Sequence, residues 1–144
     1  MAQNVRDFMT PNPAAVSERD TIRDVARIMA KQDTGVVPVV DGKKVIGMIT
    51  DRDIVVRLVA EGKDPSNARV NEAMTKDVRA VNEDMPVSDA LNLMSKEQVR
   101  RLPVVNNNNE LVGIVSIGDI AAHTKDADRV GKTVEKISES PPNN

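Results

Sequence analysis

Apolar residues recur at helical spacing in two stretches of the chain. In both stretches they follow polar residues of the kind that begin helices, SERD in the first and NEDMPVSD in the second. The apolar positions are Ile22, Val25, Ala26, Ile28 and Met29, and then Val87, Ala90, Leu91, Leu93 and Met94. Positions three and four apart share one face of a helix, so this pattern predicts two amphipathic helices.

Two short apolar runs follow each predicted helix. The runs are GVVPVV and KVIGMI in the first half, and LPVV and ELVGIV in the second. Turn-forming residues, DGK and NNNN, separate the members of each pair, which indicates hairpins. A short extended segment, around 14–16 or 79–81, precedes each helix, and a second helix is predicted after each hairpin at roughly 51–61 or 117–124. The predicted order is strand, helix, strand, strand, helix, given twice.

The two halves are also copies of one another in sequence. Residues 5–43 align with 70–108, and residues 44–54 align with 110–120, which gives 15 identities over 50 positions. A long period with only two copies is typical of a duplicated domain. One copy alone has too little core to be stable. We therefore predict an α+β fold in which two β-α-β-β-α repeats pack with pseudo-twofold symmetry.

The domain boundaries follow from this repeat. We predict a first repeat at 1–62, a linker at 63–69, a second repeat at 70–124 and a polar C-terminal tail at 125–144. Within that tail the stretch ADRVGKTVEKI predicts a short helix. The stretch SESPPNN that follows is expected to fray, because its polar residues and prolines offer no apolar face to pack.

Composition excludes several classes of function. The chain of 144 residues has no cysteine and one histidine, so disulfides, thiol catalysis and a histidine-based metal cluster within one chain are excluded. Lys plus Arg total 20 against 22 for Asp plus Glu, and this balance does not favour nucleic acid as a partner. No apolar run reaches membrane-spanning length, and the N-terminus lacks the apolar stretch of a signal peptide. We expect a cytoplasmic protein with no membrane partner.

A strand-to-helix corner in each repeat carries the candidate chemistry. The two corners are GMITDRDI and GIVSIGDI. One interpretation is a helix capping box, in which Thr50 or Ser116 accepts from the backbone three residues later and Asp53 or Asp119 favours the positive helix end. The other interpretation is a ligand site, because a carboxylate suits a ribose diol while a hydroxyl and free backbone N–H groups suit phosphate. The residue types leave both interpretations open.

The two corners also carry a family resemblance. Each is preceded by a P-V-V strand, and each repeat opens with an M-T segment. With these features the chain resembles tandem CBS domains (cystathionine β-synthase domains, or Bateman modules) over about residues 5–124. It is most similar to the stand-alone CBS-pair proteins of bacteria and archaea, including the hypoxic-response type, through TDRDI and VRRLPVV. The resemblance implies two clefts between the repeats and, in many members, binding of adenosine-containing ligands.

The resemblance further implies which residues hold such a ligand. The family's ribose acid and its phosphate-side hydroxyl fall on the two corners, as Asp53 with Thr50 and as Asp119 with Ser116. In this family the start of the opposite repeat usually helps to close each cleft. That adds Thr10 and Ala15 to the Asp119 site, and Thr75 and Ala80 to the Asp53 site.

One phosphate-binding residue of the family occurs in only one repeat. The basic residue before L-P-V falls on Arg101, whereas the first repeat has Val36 at the matching position. The Asp119 site therefore keeps acid, hydroxyl and arginine, and the Asp53 site lacks the arginine. Arg52 and Arg100 are candidates to compensate for it.

The sequence is compatible with three functions. The first is a regulatory sensor of an adenosine ligand such as AMP, ADP or ATP, which needs no obligatory cofactor and acts through an unknown regulated protein or through self-association as a homodimer. The second is an enzyme, which the absence of any catalytic constellation or metal-ligand cluster disfavours. The third is an interaction module that binds no nucleotide.

Overall fold

A computed structural model describes residues 3–123 and 127–139, and its chain forms alternating helices and short strands. The helices are α1 (Ile22–Gln32), α2 (Asp51–Ile54), α3 (Val87–Glu97), α4 (Ile117–His123) and α5 (Ala127–Ile137). The strands are β1 (Thr10–Pro11), β2 (Val36–Asp41), β3 (Lys44–Thr50), β4 (Thr75–Lys76), β5 (Val81–Asn82), β6 (Arg101–Val105) and β7 (Leu111–Ser116). The α+β fold and the twofold occurrence of helix, hairpin and helix are thus confirmed.

The described residues divide into two compact units. The first unit is Pro13–Val78, and the second unit comprises the described residues of Met1–Asn12 and Arg79–Asn144. These units differ from the sequence repeats in one respect: the opening segment of each repeat belongs to the unit built mainly from the other repeat. The predicted boundaries at 1–62 and 70–124 follow the copies in sequence, whereas the packing changes at residues 12–13 and 78–79.

The first unit is built around a three-stranded sheet in the order β2-β3-β4. The hairpin of β2 and β3 turns at Gly42, whose φ of 65° suits glycine. Thr21 caps the start of helix α1, where its side chain accepts from the N–H of Asp24, and Asp33 caps the end in a left-handed conformation. Its residues Ile22 and Val25 are buried with the strand residues Val37, Val39 and Ile49 in one apolar core.

The second unit repeats this plan with a four-stranded sheet in the order β1-β7-β6-β5. Helix α3 supplies Ala90, Leu91 and Met94 to its core and ends at Gln98, which is also left-handed. The aromatic residue of the chain, Phe8, is buried in the same core. All the apolar positions that predicted the two helices are buried in these cores or packed against them, except Ala26, which is exposed.

Main-chain pairing holds each of these opening segments, called the exchanged segments, in the unit built mainly from the other repeat. Strand β1 pairs with β7 through Thr10 and Ile114, and strand β4 pairs with β3 through Thr75 and Met48. Arg6, just before β1, also forms ion pairs with Glu83 and Asp84 at 3.3 and 2.5 Å. The M-T segments of the two repeats therefore lie beside the strands that lead into the two corners.

The helix predicted at roughly 51–61 is irregular. Its first turn is α2, and Val55–Val59 continues as a π-helix in which the N–H of Ala60 donates to the carbonyl oxygen of Val55 at 2.8 Å. Leu58 is buried in the core of the first unit, whereas Val55, Val56 and Val59 are 56, 44 and 54% exposed. Short π-helical insertions often mark functional positions, because they change which side chains face outward.

Helix α5 coincides with the stretch ADRVGKTVEKI, so the short helix predicted there is confirmed. Its buried residues Val130, Thr133 and Ile137 follow helical spacing, and it packs on α3 in the second unit. Part of the segment that composition marked as a polar tail therefore contributes to a core. Of the stretch expected to fray, only Ser138 and Glu139 lie within the described residues.

Candidate functional site

The corner of the first unit is a complete capping box. The hydroxyl of Thr50 accepts from the N–H of Asp53 at 3.0 Å, and Oδ2 of Asp53 accepts from the N–H of Thr50 at 3.0 Å. Both groups satisfy backbone donors that helix α2 leaves without partners. The structural interpretation of the TDRD pattern is therefore confirmed for this corner, without deciding whether a ligand also binds there.

Two further side chains approach the Asp53 carboxylate. The hydroxyl of Thr75 lies 3.4 Å from each of its oxygens, and Nε of Arg57 lies 3.9 Å from Oδ1. The guanidinium also donates from Nη1 to the carbonyl oxygens of Ala73 and Met74 at 3.2 and 2.6 Å. Thr50, Asp53 and Thr75, which the sequence assigned to one site, are thus brought together by the first unit.

Gly47 lets β4 lie against β3 at this corner. A Cβ placed on Gly47 would collide with the methyl group of Met74 and would lie 2.5 Å from the carbonyl oxygen of Thr75. Gly113 has the same role in the second unit, where a Cβ would lie 2.9 Å from the carbonyl oxygen of Thr10. Both glycines therefore permit a close approach between main chains.

The corner of the second unit has fewer internal bonds. The hydroxyl of Ser116 accepts from the N–H of Asp119 at 3.0 Å, as in a helix cap. Within residues 3–123 and 127–139, no hydrogen bond or ion pair reaches the Asp119 carboxylate, although its residue is half-buried. This acid therefore retains acceptor capacity that Asp53 has already used.

Arg101 lies next to this second corner. It is directly opposite Ser116 in the antiparallel pair of β6 and β7, and it is half-buried. Thr10 occupies β1, which pairs with β7 two residues before Ser116, and its residue is exposed. The second unit therefore gathers four predicted site residues on neighbouring strands and the helix that follows them: Thr10, Arg101, Ser116 and Asp119.

Two predicted site residues fall in a different unit from the acid they were assigned to. Ala15 belongs to the first unit and is half-buried, and Ala80 belongs to the second unit and is exposed. Their roles at the Asp119 and Asp53 sites stay predictions.

Arg57 is the residue that sequence reasoning missed at the first corner. It lies four positions after Asp53, a spacing at which opposite charges meet on a helix. That spacing was visible in the sequence. Its contact with the carbonyl oxygens at residues 73 and 74 was not visible there, because those residues open the second repeat and yet lie in the first unit.

No cluster of three or more acidic or histidine side chains that could hold a metal ion occurs in the part of the chain that the structure describes. None of its helices combines the length and apolar character needed to cross a membrane.

Comparison with known proteins decides the family. The sequence model of the CBS domain matches residues 5–60 and 70–126. The chain belongs to the CBS domain family. The two matches agree with the two repeats recognised from the internal alignment.

The curated relatives of this CBS protein include several that share most of its length. It is 40% identical over 135 residues to the CBS domain-containing protein YhcV of Bacillus subtilis, covering 94% of this chain and 95% of that one. It is 38% identical to hypoxic response protein 1 of Mycobacterium tuberculosis, covering 82% of each chain. Its 35% identity to inosine-5′-monophosphate dehydrogenase of Methanocaldococcus jannaschii covers 22% of that enzyme.

The fold of this protein resembles those of solved CBS-domain structures. Hypoxic Response Protein I, solved with two coordinated zinc ions, is 36% identical with a TM-score of 0.77 and covers 85% of this chain and 99% of that one. The CBS pair of MJ0100, solved with 5′-methylthioadenosine and S-adenosyl-L-methionine, is 31% identical with a TM-score of 0.74 over 83 and 98% of the two chains. CBSX2, solved with AMP, is 25% identical with a TM-score of 0.73 over 83 and 94%.

Proposed function

We propose that this protein is a regulatory module that binds an adenosine-containing ligand and is not an enzyme. The observation that carries the proposal is the Asp119 carboxylate, which is half-buried and receives no hydrogen bond from the residues that the structure describes. The carboxylate oxygens of this half-buried side chain therefore remain available to accept hydrogen bonds from the hydroxyl groups of a ligand. The second corner therefore has the chemistry of a binding site.

The neighbouring groups fit the remaining parts of a nucleotide. A carboxylate accepts two hydrogen bonds from a vicinal ribose diol, which would be the role of Asp119. A guanidinium binds phosphate oxygens in a bidentate way, and Arg101 lies opposite Ser116 on the adjacent strand. Thr10 on β1 and Ser116 at the end of the neighbouring strand β7 add hydroxyl groups. An adenine nucleotide is accordingly the ligand class that these side chains suit.

The related structures support the ligand class without naming the ligand. MJ0100 was solved with two adenosine derivatives and CBSX2 with AMP. The MJ0100 ligands carry a sulfur substituent on the ribose and the CBSX2 ligand carries a phosphate, so the adenosine part is common to all three. For the present protein AMP, ADP, ATP and S-adenosylmethionine are all candidates.

The regulatory part of the proposal concerns what binding changes. A ligand alters a downstream partner only if it prefers one of two conformations or assembly states. We place the output in self-association as a homodimer through the helices that follow TDRDI and SIGDI, or in a separate regulated protein. A cytoplasmic location fits a chain without cysteine, which gains nothing from an oxidising compartment.

A second candidate function has an observation in its favour. The Asp53 carboxylate has partners within the first unit, so this corner forms a helix cap without any ligand. If the Asp119 corner were likewise only a cap, the protein would be an interaction module that binds no nucleotide.

Thermal denaturation with a ligand panel tests the proposal. AMP, ADP, ATP, S-adenosylmethionine and NAD are added separately to the wild type, to Asp119→Asn and to Asp89→Asn. Asp89 is the matched control, because it is also an acid in the first turn of a helix in the second unit. A ligand that binds the native state raises the melting temperature with concentration.

We expect at least one adenosine ligand to stabilise the wild type and Asp89→Asn, and to lose this effect in Asp119→Asn. An unchanged melting temperature with every ligand would instead support the interaction module.

A further inference from the structure

The two corners of this protein differ in how their acids are used. Asp53 and Asp119 occupy equivalent positions in the repeats, and each follows a hydroxyl residue by three positions. The Asp53 carboxylate accepts from the chain's own groups on both oxygens, whereas no described group bonds to that of Asp119. Equivalent residues with unequal surroundings indicate that the two corners have different roles.

Three groups of the first unit cover the acceptor positions of Asp53. Oδ2 accepts from the N–H of Thr50 at 3.0 Å and lies 3.4 Å from the Thr75 hydroxyl. Oδ1 lies 3.4 Å from the same hydroxyl and 3.9 Å from Nε of Arg57. The side chain of Asp53 is only 15% exposed. A ribose diol needs both oxygens, so it would have to displace these groups.

The main chain fixes Arg57 in this position. Its Nη1 atom donates to the carbonyl oxygens of Ala73 and Met74, two buried residues that precede β4. The ion pair with Asp53 is itself weak, since the Arg57 side chain is 46% exposed. The hydrogen bonds to the carbonyl oxygens hold Arg57 more strongly than the ion pair does, because moving the guanidinium away would remove a donor from both acceptors.

In the part of the second unit that the structure describes, no side chains contact Asp119 as Arg57 and Thr75 contact Asp53. The internal alignment, continued by three residues, places His123 at the position of Arg57, and the His123 residue is exposed. An imidazole is shorter than an arginine side chain and lacks its fork of five donors. Thr10 matches Thr75 in sequence, yet its hydroxyl makes no described bond to Asp119. The contrast therefore arises from identifiable residues.

Charge at the strand end adds to the contrast. Arg100 and Arg101 in the second repeat match Gly35 and Val36 in the first. In the first unit the N–H of Asp51 donates to the carbonyl oxygen of Gly35 at 3.0 Å, which places an additional acid there. The second corner thus has two arginines at its strand end, whereas the first has Gly35 and Val36 there, next to the carboxylate of Asp51.

We propose that Asp53, Arg57 and Thr75 form an internal clasp that ties β4 to the end of β3, and that each chain binds one adenosine ligand, at the Asp119 corner. The ligand half of this inference rests on the proposed function. The clasp half rests only on the contacts within the first unit.

Calorimetric titration measures the ligand half, with AMP and S-adenosylmethionine as separate probes. We expect about one equivalent per wild-type chain, a dissociation constant within about threefold of wild type for Asp53→Asn, and binding weakened about tenfold or more for Asp119→Asn. Two equivalents per wild-type chain, or a tenfold weakening in a folded Asp53→Asn protein, would overturn the single-site assignment.

Thermal denaturation without ligand measures the clasp half. Thr75→Val and Thr10→Val are a matched pair, because each removes the hydroxyl at the same position of an M-T segment and neither removes a helix cap. We expect a fall of about 2 °C or more for Thr75→Val and of less than about 1 °C for Thr10→Val. Equal falls would overturn the clasp. If neither probe binds any protein and no ligand of the thermal panel stabilises the wild type, the proposed function fails, while this second comparison still decides the clasp.

Discussion

Nη1 of Arg57 lies 2.6 Å from the carbonyl oxygen of Met74, and this bond joins the helix after β3 to the residue that precedes β4. The two residues are 17 positions apart in sequence and come from opposite sides of the predicted linker. The linker at 63–69 thus leads into a segment that returns to the same unit, rather than directly into the second one.

Replacing Arg57 by methionine should destabilise the first unit. Methionine keeps much of the apolar stem but removes the donors to the carbonyl oxygens of Ala73 and Met74. A hydrogen bond from a charged donor contributes roughly 1.5–3 kcal/mol, and the exposure of Arg57 reduces this to about 1–2 kcal/mol. Urea denaturation followed by circular dichroism measures the loss.

Arg52→Met is the control for that variant. Arg52 is exposed on the preceding turn, and its guanidinium makes no hydrogen bond or ion pair to the residues that the structure describes. We expect it to change stability by less than about 0.5 kcal/mol. Equal losses in the two variants would show that the carbonyl contacts of Arg57 contribute nothing.

Gly47→Ala should be strongly destabilising. The new methyl group would lie 2.5 Å from the carbonyl oxygen of Thr75, which is main chain and cannot rotate away. Overpacking of this kind typically costs about 1–3 kcal/mol, and β4 would have to shift from β3. Loss of amide hydrogen-exchange protection at β4, measured by mass spectrometry, would report that shift.

Gly131→Ala provides the opposite control. Gly131 lies within α5, and a Cβ there would meet nothing within 4 Å. Alanine should therefore stabilise the helix by roughly 0.5–1 kcal/mol through its higher helix propensity. A Gly47→Ala protein as stable as the wild type would contradict the close approach of the two strands.

The sequence predicted the elements of this fold well because their signals are local. Helices α1 and α3 follow from apolar spacing within eleven residues each, and the hairpins follow from apolar runs around turn residues. The exchange of β1 and β4 between units was not predictable in the same way. It depends on pairing between strands distant in sequence, and a two-residue strand has no periodicity to detect.

The candidate sites were predicted unevenly for a related reason. The pattern at Thr50 and Asp53 is compatible with both a cap and a ligand site, and the structure shows the cap as formed. The surroundings of the carboxylate, which Thr75 and Arg57 supply through tertiary packing, distinguish the first corner from the second. The arginine difference between Arg101 and Val36, in contrast, was visible from the internal alignment alone.

Ile137→Ala should destabilise the second unit. Ile137 is 4% exposed and packs in the core with residues of α3, although it lies in a segment of polar composition. Truncating a buried isoleucine costs about 2–4 kcal/mol. Val134→Ala is the control, since Val134 is 44% exposed on the same helix and should cost less than about 1 kcal/mol. Thermal denaturation of both variants makes the comparison, and equal melting temperatures would show that α5 does not stabilise the unit.

Replacing the exposed valines of the π-helical segment should weaken self-association. Val55, Val56 and Val59 present neighbouring apolar side chains after TDRDI, where the proposed homodimer has its interface. Exposed apolar patches are typical of interaction surfaces, and a twofold dimer would use the same patch on both chains. We expect wild-type protein to sediment as a dimer and the triple serine variant to sediment as a folded monomer, because the substituted positions are exposed. Val134→Ser controls for the loss of one exposed valine elsewhere and should remain dimeric. A triple variant that still sediments as a dimer would move the interface away from this segment.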